Sequence, residues 1–161
     1  RVRPMVGDVR HLPLPPESFD LIWSEGALYN VGIETGLELC RPLLRPGGYV
    51  VFTDAVWRKA DPPPDVKASF EDYPTMGWAD DVVATIARSG LSLVDHFTLP
   101  DEAWWDDFYG PMERRIAELR AEHAADPEAL AALDELAREP EMHRDHSVYY
   151  AYELFVARGP L

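Results

Sequence analysis

Short apolar runs along the chain alternate with segments in which apolar residues recur every three or four positions. The runs at residues 2–7, Phe19–Ser24 and 49–54 are compact, as in parallel strands that are covered on both faces. Residues 91–99 alternate between apolar and polar side chains, and residues 148–157 form a long apolar run. These patterns predict five strands.

Helical spacing appears between the predicted strands. Residues 34–44 carry apolar side chains at helical intervals, and this helix should stop at Arg45-Pro46-Gly47-Gly48. A strand, a helix and a second strand in this order predict a parallel pair with a right-handed crossover. Residues 78–89 are predicted as another helix, and residues 101–138 are helical in pattern, with a new helix starting at Asp126-Pro127.

Composition and charge restrict the class of protein. The chain has 161 residues and a net charge of −14, so we expect a soluble domain with no nucleic-acid partner and no membrane contact. Cys40 is the only cysteine, so we expect neither a disulfide framework nor a metal site, and a cytoplasmic location fits best. Two lysines against thirteen arginines indicate a GC-rich bacterial genome.

Three motifs follow one another in the order found in a known enzyme family. They are Gly7-Asp8-Val9 with Leu12-Pro13-Leu14, then residues 18–22 (SFDLI), then residues 43–48 (LLRPGG). Together they resemble class I S-adenosylmethionine-dependent methyltransferases. Residues 23–32 (WSEGALYNVG) and 149–155 (YYAYELF) are similar to small bacterial members related to the ubiquinone-biosynthesis type.

The resemblance implies an α/β fold with a Rossmann-like, doubly wound sheet of seven strands, in which strand seven runs antiparallel between strands five and six. On this template the chain starts at strand three, and strands one and two are missing. The sequence contains no Gly-x-Gly-x-Gly, the loop that cradles the cofactor. We therefore expect a single, N-terminally incomplete methyltransferase domain over residues 1–161, with a helical insertion at residues 101–147 between the last two strands.

An incomplete sheet exposes an apolar strand edge. We expect such a chain, when alone, to aggregate, to pair with a second copy as a homodimer, or to place strand three against strand four.

The resemblance also implies where S-adenosylmethionine would bind. The Asp8 carboxylate would accept the adenine amino group, and the Val9 N–H would reach a ring nitrogen. Ser24, Glu25 and Gly26 would line the methionine end. The residues alone leave an alternative open for each side chain. Asp8 is also typical of a turn residue that caps its own backbone, and Glu25 of a solvated or helix-capping carboxylate.

Candidate substrate contacts follow strands four and five and lie in the insertion. They are Tyr29, Asp54, Trp57, Trp104, Trp105 and Tyr109. The aromatic group that includes Phe108 suits a pocket for an apolar or flat substrate, and ordinary packing of the insertion explains it equally well. The candidates for a catalytic base are Glu25, His143 and His146.

The predicted reaction is methyl transfer from S-adenosylmethionine to a small-molecule acceptor. In this chemistry the cofactor carries the reactivity, and the protein supplies orientation and a water-poor pocket. Two alternatives stay open. One is a truncated, non-catalytic binding or scaffolding module that no longer holds the cofactor, and the other is a nicotinamide-dependent reductase on a similar sheet.

Overall fold

The computed structural model describes residues 2–161. Four strands form one sheet, and they are β1 Phe19–Ser24, β2 Leu44–Trp57, β3 Ser92–Thr98 and β4 Tyr150–Arg158. Their order across the sheet is β1-β2-β4-β3, with β1 parallel to β2 and β3 antiparallel to β4. The last strand of the chain therefore lies between β2 and β3, as the resemblance implied for strand seven.

Helices connect these strands at the predicted places. The helices are α1 Ile33–Cys40, α2 Pro64–Ser69, α3 Ala79–Arg88, α4 Asp101–Trp104, α5 Gly110–Glu122 and α6 Pro127–His146, and the π-helical segment Trp105–Tyr109 joins α4 to α5. The Asp126 carboxylate caps α6 by accepting the N–H groups of Glu128 and Ala129. Short 3₁₀ turns lie at Val9–His11, Leu28–Val31 and Arg41–Leu43.

The chain divides into two compact units. The sheet unit comprises Arg1–Trp57, Asp72–Thr98 and Tyr152–Leu161. The helical unit comprises Arg58–Glu71 and Leu99–Ala151. All the helices that separate β3 from β4 along the chain belong to the helical unit.

The core of the sheet unit lies between the sheet and two helices. Leu37 of α1 and Ile86 of α3 are fully buried against Val50 and Phe52 of β2. Phe52 stacks on Phe155 of β4, with ring centroids 5.2 Å apart. Strand β2 is thus the central element of this core, since every residue from 50 to 56 is buried.

Two details differ from the sequence-based prediction. Residues 2–7 form no strand and are exposed, although their apolar pattern predicted one. No other strand of residues 2–161 pairs with this segment, and a strand without a partner leaves its backbone groups unsatisfied by a sheet. The last helix also continues past residue 138 to His146 and accommodates Pro140.

Strand β1 lies at one edge of the sheet and pairs only with β2. Leu21 and Trp23 on this strand keep 49% and 56% of their surface exposed. Self-association through this edge stays a prediction. No helix within residues 2–161 combines the length and the apolar character that a membrane crossing requires.

Gly48 supports the contact between β1 and β2 and gives a first prediction. A Cβ at this position would lie 3.0 Å from the Arg45 carbonyl oxygen and 3.1 Å from that of Phe19, both of them backbone atoms. Gly48→Ala should therefore lower the free energy of unfolding by about 1–3 kcal/mol, measured by urea denaturation. The matched control is Gly7→Ala, whose Cβ meets only the Leu12 side chain at 3.4 Å. Equal stability of the two variants would contradict this packing.

Candidate functional site

The turn that follows β1 is held against the neighbouring strands. Gly26 adopts a positive φ of 51°, which favours glycine. Its N–H donates to Thr53 Oγ1 on β2 at 2.9 Å, and a Cβ on Gly26 would lie 3.3 Å from Tyr152 Oη on β4. The sequence Ser24-Glu25-Gly26 therefore forms a close-fitting turn at the carboxyl end of a parallel strand, the edge at which α/β sheets bind ligands.

Glu25 sits at the outer side of this turn. Its side chain is exposed, and Oε1 accepts the indole N–H of Trp23 at 2.6 Å. This bond orients the carboxylate while leaving Oε2 open to a further donor. Glu25 does not cap a helix, because the next helical turn starts at Leu28 and no side chain caps it.

Asp54 lies on β2 two residues beyond Phe52, and it is the most buried acidic side chain of the sheet unit, at 1% exposure. The Tyr73 hydroxyl donates to both of its oxygens, at 3.1 Å and 2.9 Å. Burial raises the pKa of Asp54 to about 6, against the opposing effect of hydrogen bonds from Tyr73 and the Ala55 backbone. Burial and the Asp54 charge together raise the pKa of Tyr73 above its usual range, so its hydroxyl stays protonated.

A cavity of about 240 Å³ opens beside Asp54. Its walls come from the start of α1, from β2, from the segment before α3 and from α3 itself, and they consist of Gly32, Ile33, Glu34, Thr35, Asp54, Tyr73, Thr75, Gly77, Asp81, Val82 and Thr85. Glu34, Thr35 and Asp81 are exposed, whereas Asp54 is buried. The cavity thus leads from solvent to a buried carboxylate.

Two further tyrosines lie near Tyr73. The Tyr29 ring lies 5.0 Å from the Tyr73 ring, tilted by 44°. Tyr152, which contacts the Gly26 turn, also acts electrostatically on the Tyr73 hydroxyl. The predicted residues Tyr29 and Asp54 are therefore brought together, through Tyr73.

Trp57, a predicted substrate contact, has hydrogen bonds to the segment before α3. Its indole N–H donates to the Met76 carbonyl at 3.1 Å, and its backbone N–H donates to Gly77 at 2.9 Å. Trp57 does not line the cavity. It joins the end of β2 to the segment that precedes α3.

Asp8 and Val9 lie in and beside the first 3₁₀ turn. Asp8 caps that turn, because Oδ1 accepts the Arg10 backbone N–H at 2.9 Å and its guanidinium Nε at 3.2 Å. These hydrogen bonds hold the pKa of Asp8 below its ordinary value. Asp8 therefore caps this turn, as the alternative interpretation of the sequence predicted, and its Oδ2 lies 3.7 Å from His11 Nδ1.

His143 lies in the helical unit and is 1% exposed. Its Nδ1 is 2.9 Å from the Tyr150 hydroxyl, and its Nε2 has no hydrogen-bond partner. Burial lowers the pKa of His143, against the opposing effect of Asp101. The rings of Trp104 and Tyr109 lie 4.7 Å and 5.0 Å from the imidazole.

The predicted aromatic cluster of the insertion therefore packs around a histidine of the same unit. Trp105 lies 6.0 Å from the His143 ring and is covered by the Arg144 guanidinium at 4.7 Å. The His146 side chain forms a different contact, in which its Nε2 lies 3.2 Å from Asp65 Oδ2. Within residues 2–161, no three histidine, cysteine, aspartate or glutamate side chains converge as metal ligands.

Three residues of the site, Thr53, Tyr73 and Tyr152, were not predicted as site residues from the sequence. Tyr152 belongs to the recognised tail, and its place on a strand next to β2 indicates a role at the sheet. Thr53 precedes Asp54 on the same strand, where alternation points it to the opposite face. Tyr73 lies between α2 and α3 in a segment without regular structure, and no pattern marks it.

A comparison with protein families identifies the first third of the chain. Residues 1–52 match the family model described as a methyltransferase domain. This match includes Asp8 and the Ser24-Glu25-Gly26 turn. The resemblance that the motifs predicted is therefore confirmed. No curated protein sequence matches the chain significantly.

Solved structures extend the similarity to almost the whole chain. Phosphoethanolamine N-methyltransferase 2 of Haemonchus contortus, determined with phosphomonomethylethanolamine and S-adenosylhomocysteine, has a TM-score of 0.73 at 16% identity over 97% of this chain and 37% of its own. A methyltransferase of Geobacter sulfurreducens in complex with S-adenosylhomocysteine has a TM-score of 0.73 at 18% identity, covering 89% of this chain and 59% of its own. The fold is therefore that of the class I methyltransferases.

The same fold also occurs in a protein named for another reaction. The [4+2]-cyclase SpnF has a TM-score of 0.67 at 19% identity, over 98% of this chain and 55% of its own. The chain thus spans between about a third and three fifths of the length of these three proteins. Fold alone does not define a reaction.

The buried Asp54 carboxylate predicts a specific pH dependence of stability. The folded chain holds Asp54 at a pKa of about 6, against 3.8 for an ordinary aspartate. Ionisation therefore opposes folding, and this penalty is absent below pH 4, grows between pH 4 and 6 and is complete above pH 6. It amounts to about 3 kcal/mol above pH 6. Asp54→Asn should therefore be more stable than the parent chain at pH 8, and the gain should disappear near pH 4.

Urea denaturation at pH 4 and pH 8 would measure this difference. Asp80→Asn is the matched control, since Asp80 undergoes the same charge change at an exposed position on α3 that does not line the cavity. An Asp54→Asn variant that is less stable than the parent at pH 8 would contradict the prediction.

Proposed function

We propose that this chain forms the C-terminal part of a class I methyltransferase that transfers a methyl group from S-adenosylmethionine to a small-molecule acceptor. The observation that carries this proposal is the Ser24-Glu25-Gly26 turn. It lies inside the segment that matches a methyltransferase domain, and it is fixed to β2 by the bond from Gly26 to Thr53. A fixed turn at a strand end suits close approach of a ligand to the backbone.

The residues present fit parts of the cofactor. Glu25 is exposed and oriented by Trp23, and its free oxygen suits the cationic amino group of the methionine moiety. Asp8 presents Oδ2 for the adenine amino group, with the Val9 N–H beside it. When bound, S-adenosylmethionine supplies an electrophilic methyl group, so the chain itself needs to supply orientation and exclusion of water.

The acceptor side of the site is proposed at Asp54. The cavity that leads to this carboxylate is flanked by Tyr73, and Tyr29 lies against Tyr73. Three aromatic residues of the insertion stay proposed substrate contacts, namely Trp104, Trp105 and Tyr109. Their packing around His143 is a sufficient structural reason for their presence, so we place the acceptor at Asp54 first. His143 pairs with Tyr150 and His146 with Asp65, both within the helical unit. We therefore favour Glu25 and Asp54 as the catalytic base.

The cellular setting is part of the same proposal. A net charge of −14 and a single, buried cysteine support a bacterial, cytoplasmic enzyme that acts on a small molecule and not on nucleic acid. The exposed Leu21 and Trp23 at the β1 edge support association with another copy or with an upstream segment of a longer protein.

A non-catalytic binding module is the second candidate. It is supported by the sequence, which contains no Gly-x-Gly-x-Gly in its 161 residues. Such a module would retain the sheet and the Asp54 cavity and would not bind the cofactor.

A calorimetric titration of the chain with S-adenosylhomocysteine separates the two candidates. Binding is expected, because the proposed contacts to the methionine end lie within the chain. Glu25→Gln should weaken this binding by about tenfold, since it removes the charge that faces the ligand's amino group. Glu38→Gln, an exposed residue of α1 with the same charge change, should leave the affinity unchanged.

Absence of binding to the parent chain would favour the non-catalytic module. Binding that is equally strong in Glu25→Gln and in the parent would retain the methyltransferase proposal and contradict the assigned role of Glu25.

A further inference from the structure

The cavity beside Asp54 contains acidic groups and no basic group in its walls. Glu34, Asp54 and Asp81 line it, and the remaining lining residues are uncharged at neutral pH. The Arg88 guanidinium lies next to this lining, where it pairs with Glu34 at 3.1 Å and donates to Thr85 Oγ1 at 2.9 Å. A negatively charged ligand would still be repelled by Asp54 and Asp81. The electrostatic character of the cavity thus favours a cation.

Two of the three carboxylates already have a structural role. Glu34 pairs with Arg88 at 3.1 Å, and Arg88 does not line the cavity. Asp81 accepts the Trp78 backbone N–H at 2.9 Å and so caps the start of α3. Neither side chain therefore requires a ligand.

Asp54 differs from both. It is buried, and among residues 2–161 no lysine, arginine or histidine forms an ion pair with it. Its protein partners are the Tyr73 hydroxyl and the Ala55 backbone, both of them neutral donors. A buried carboxylate without a cation is costly, and a carboxylate has about four acceptor sites, so capacity for a further donor remains.

Aromatic rings complete the surroundings of this charge. Tyr73 lines the cavity, and the Tyr29 ring lies 5.0 Å from it. The faces of aromatic rings attract cations, most strongly where water is excluded. A buried, uncompensated carboxylate beside tyrosine rings is the combination that holds an alkylammonium group.

We infer that the Asp54 cavity binds the ammonium group of a small amine, with Asp54 as the counter-ion and Tyr73 as the aromatic wall. The volume of about 240 Å³ is below the roughly 300–1,000 Å³ of pockets for drug-sized ligands, so the group is small. The identification of this amine as the methyl acceptor rests on the proposed function. The binding of the ammonium group itself rests on the cavity alone.

The test uses methylammonium and tetramethylammonium as probes, because both keep their positive charge between pH 5 and 8. Titration into the ¹⁵N-labelled 161-residue chain, followed by NMR, should shift the amide signals of Asp54 and Tyr73 with at least one probe. tert-Butanol, which resembles tetramethylammonium in shape and has no charge, should leave these signals in place.

Asp54→Asn should weaken binding of the cation by about tenfold or more, because it removes the counter-ion and keeps the shape of the side chain. Asp80→Asn makes the same charge change outside the cavity and should bind like the parent chain. Urea denaturation of Asp54→Asn at pH 8, where this variant is expected to be at least as stable as the parent chain, shows whether a loss of binding reflects the charge or damage to the fold.

Binding should also weaken as the pH falls through about 6, where Asp54 takes up a proton. The other charged or titratable groups around this site are Glu34 and Asp81 in the cavity walls, Arg88 beside Glu34 and Thr85, Tyr73, and the neighbouring Tyr29 and Tyr152. The pH dependence should disappear in Asp54→Asn and persist in Asp80→Asn. A purely structural Asp54 would not produce this profile.

The outcomes separate this inference from the proposed function. Cation binding that depends on Asp54, without binding of S-adenosylhomocysteine, would support the ammonium site and contradict the cofactor contacts proposed for this chain. Binding of S-adenosylhomocysteine without binding of either cation would overturn the ammonium site. Equal cation binding by Asp54→Asn and the parent would overturn it as well.

Discussion

The burial of β2 on both faces is the constraint on which the rest of the sheet unit depends. Every residue from 50 to 56 is buried, so each polar group on this strand needs a partner from a neighbouring element. Thr53, which points to one face, accepts the N–H of Gly26 and thereby fixes the turn after β1. Asp54, which points to the other face, holds the Tyr73 hydroxyl and thereby fixes the segment before α3. The two halves of the candidate site thus derive from adjacent residues of one strand.

A helix or strand is predictable from the sequence where its apolar and polar pattern results from the packing of that same segment. The helical spacing before β2 is found in the structure because α1 packs on the sheet through its apolar side. The run at Phe19–Ser24 is also found as a strand, but it lies at the sheet edge with no buried residue, whereas its pattern predicted cover on both faces. Residues 2–7 carry the same kind of apolar run and form no strand. A strand also requires a partner, and the apolar pattern contains no information about whether that partner is present.

The site was predictable in part for the same reason. Glu25, Tyr29 and Asp54 lie at or near strand ends, where the order of strands and turns along the chain locates them. Tyr73 could not be found this way, because it reaches Asp54 from a segment without periodicity, 19 residues further along the chain. The aromatic residues of the insertion were conspicuous in the sequence, and His143 at the centre of their cluster explains them by local packing.

A buried carboxylate that opposes folding also bears on what the chain does. An asparagine at position 54 would keep the hydrogen bond from Tyr73 and avoid the cost of burying a charge. The chain instead retains an aspartate with a pKa of about 6 at the end of a cavity that contains no basic residue. Stability gives no reason for an aspartate in place of an asparagine at position 54. A bound cation gives one, because it binds only the ionised carboxylate and its binding energy offsets the cost of desolvating that carboxylate. Residues that lower stability in the free protein are characteristic of binding and catalytic sites, and Asp54 is the residue of the sheet unit to which this argument applies most directly.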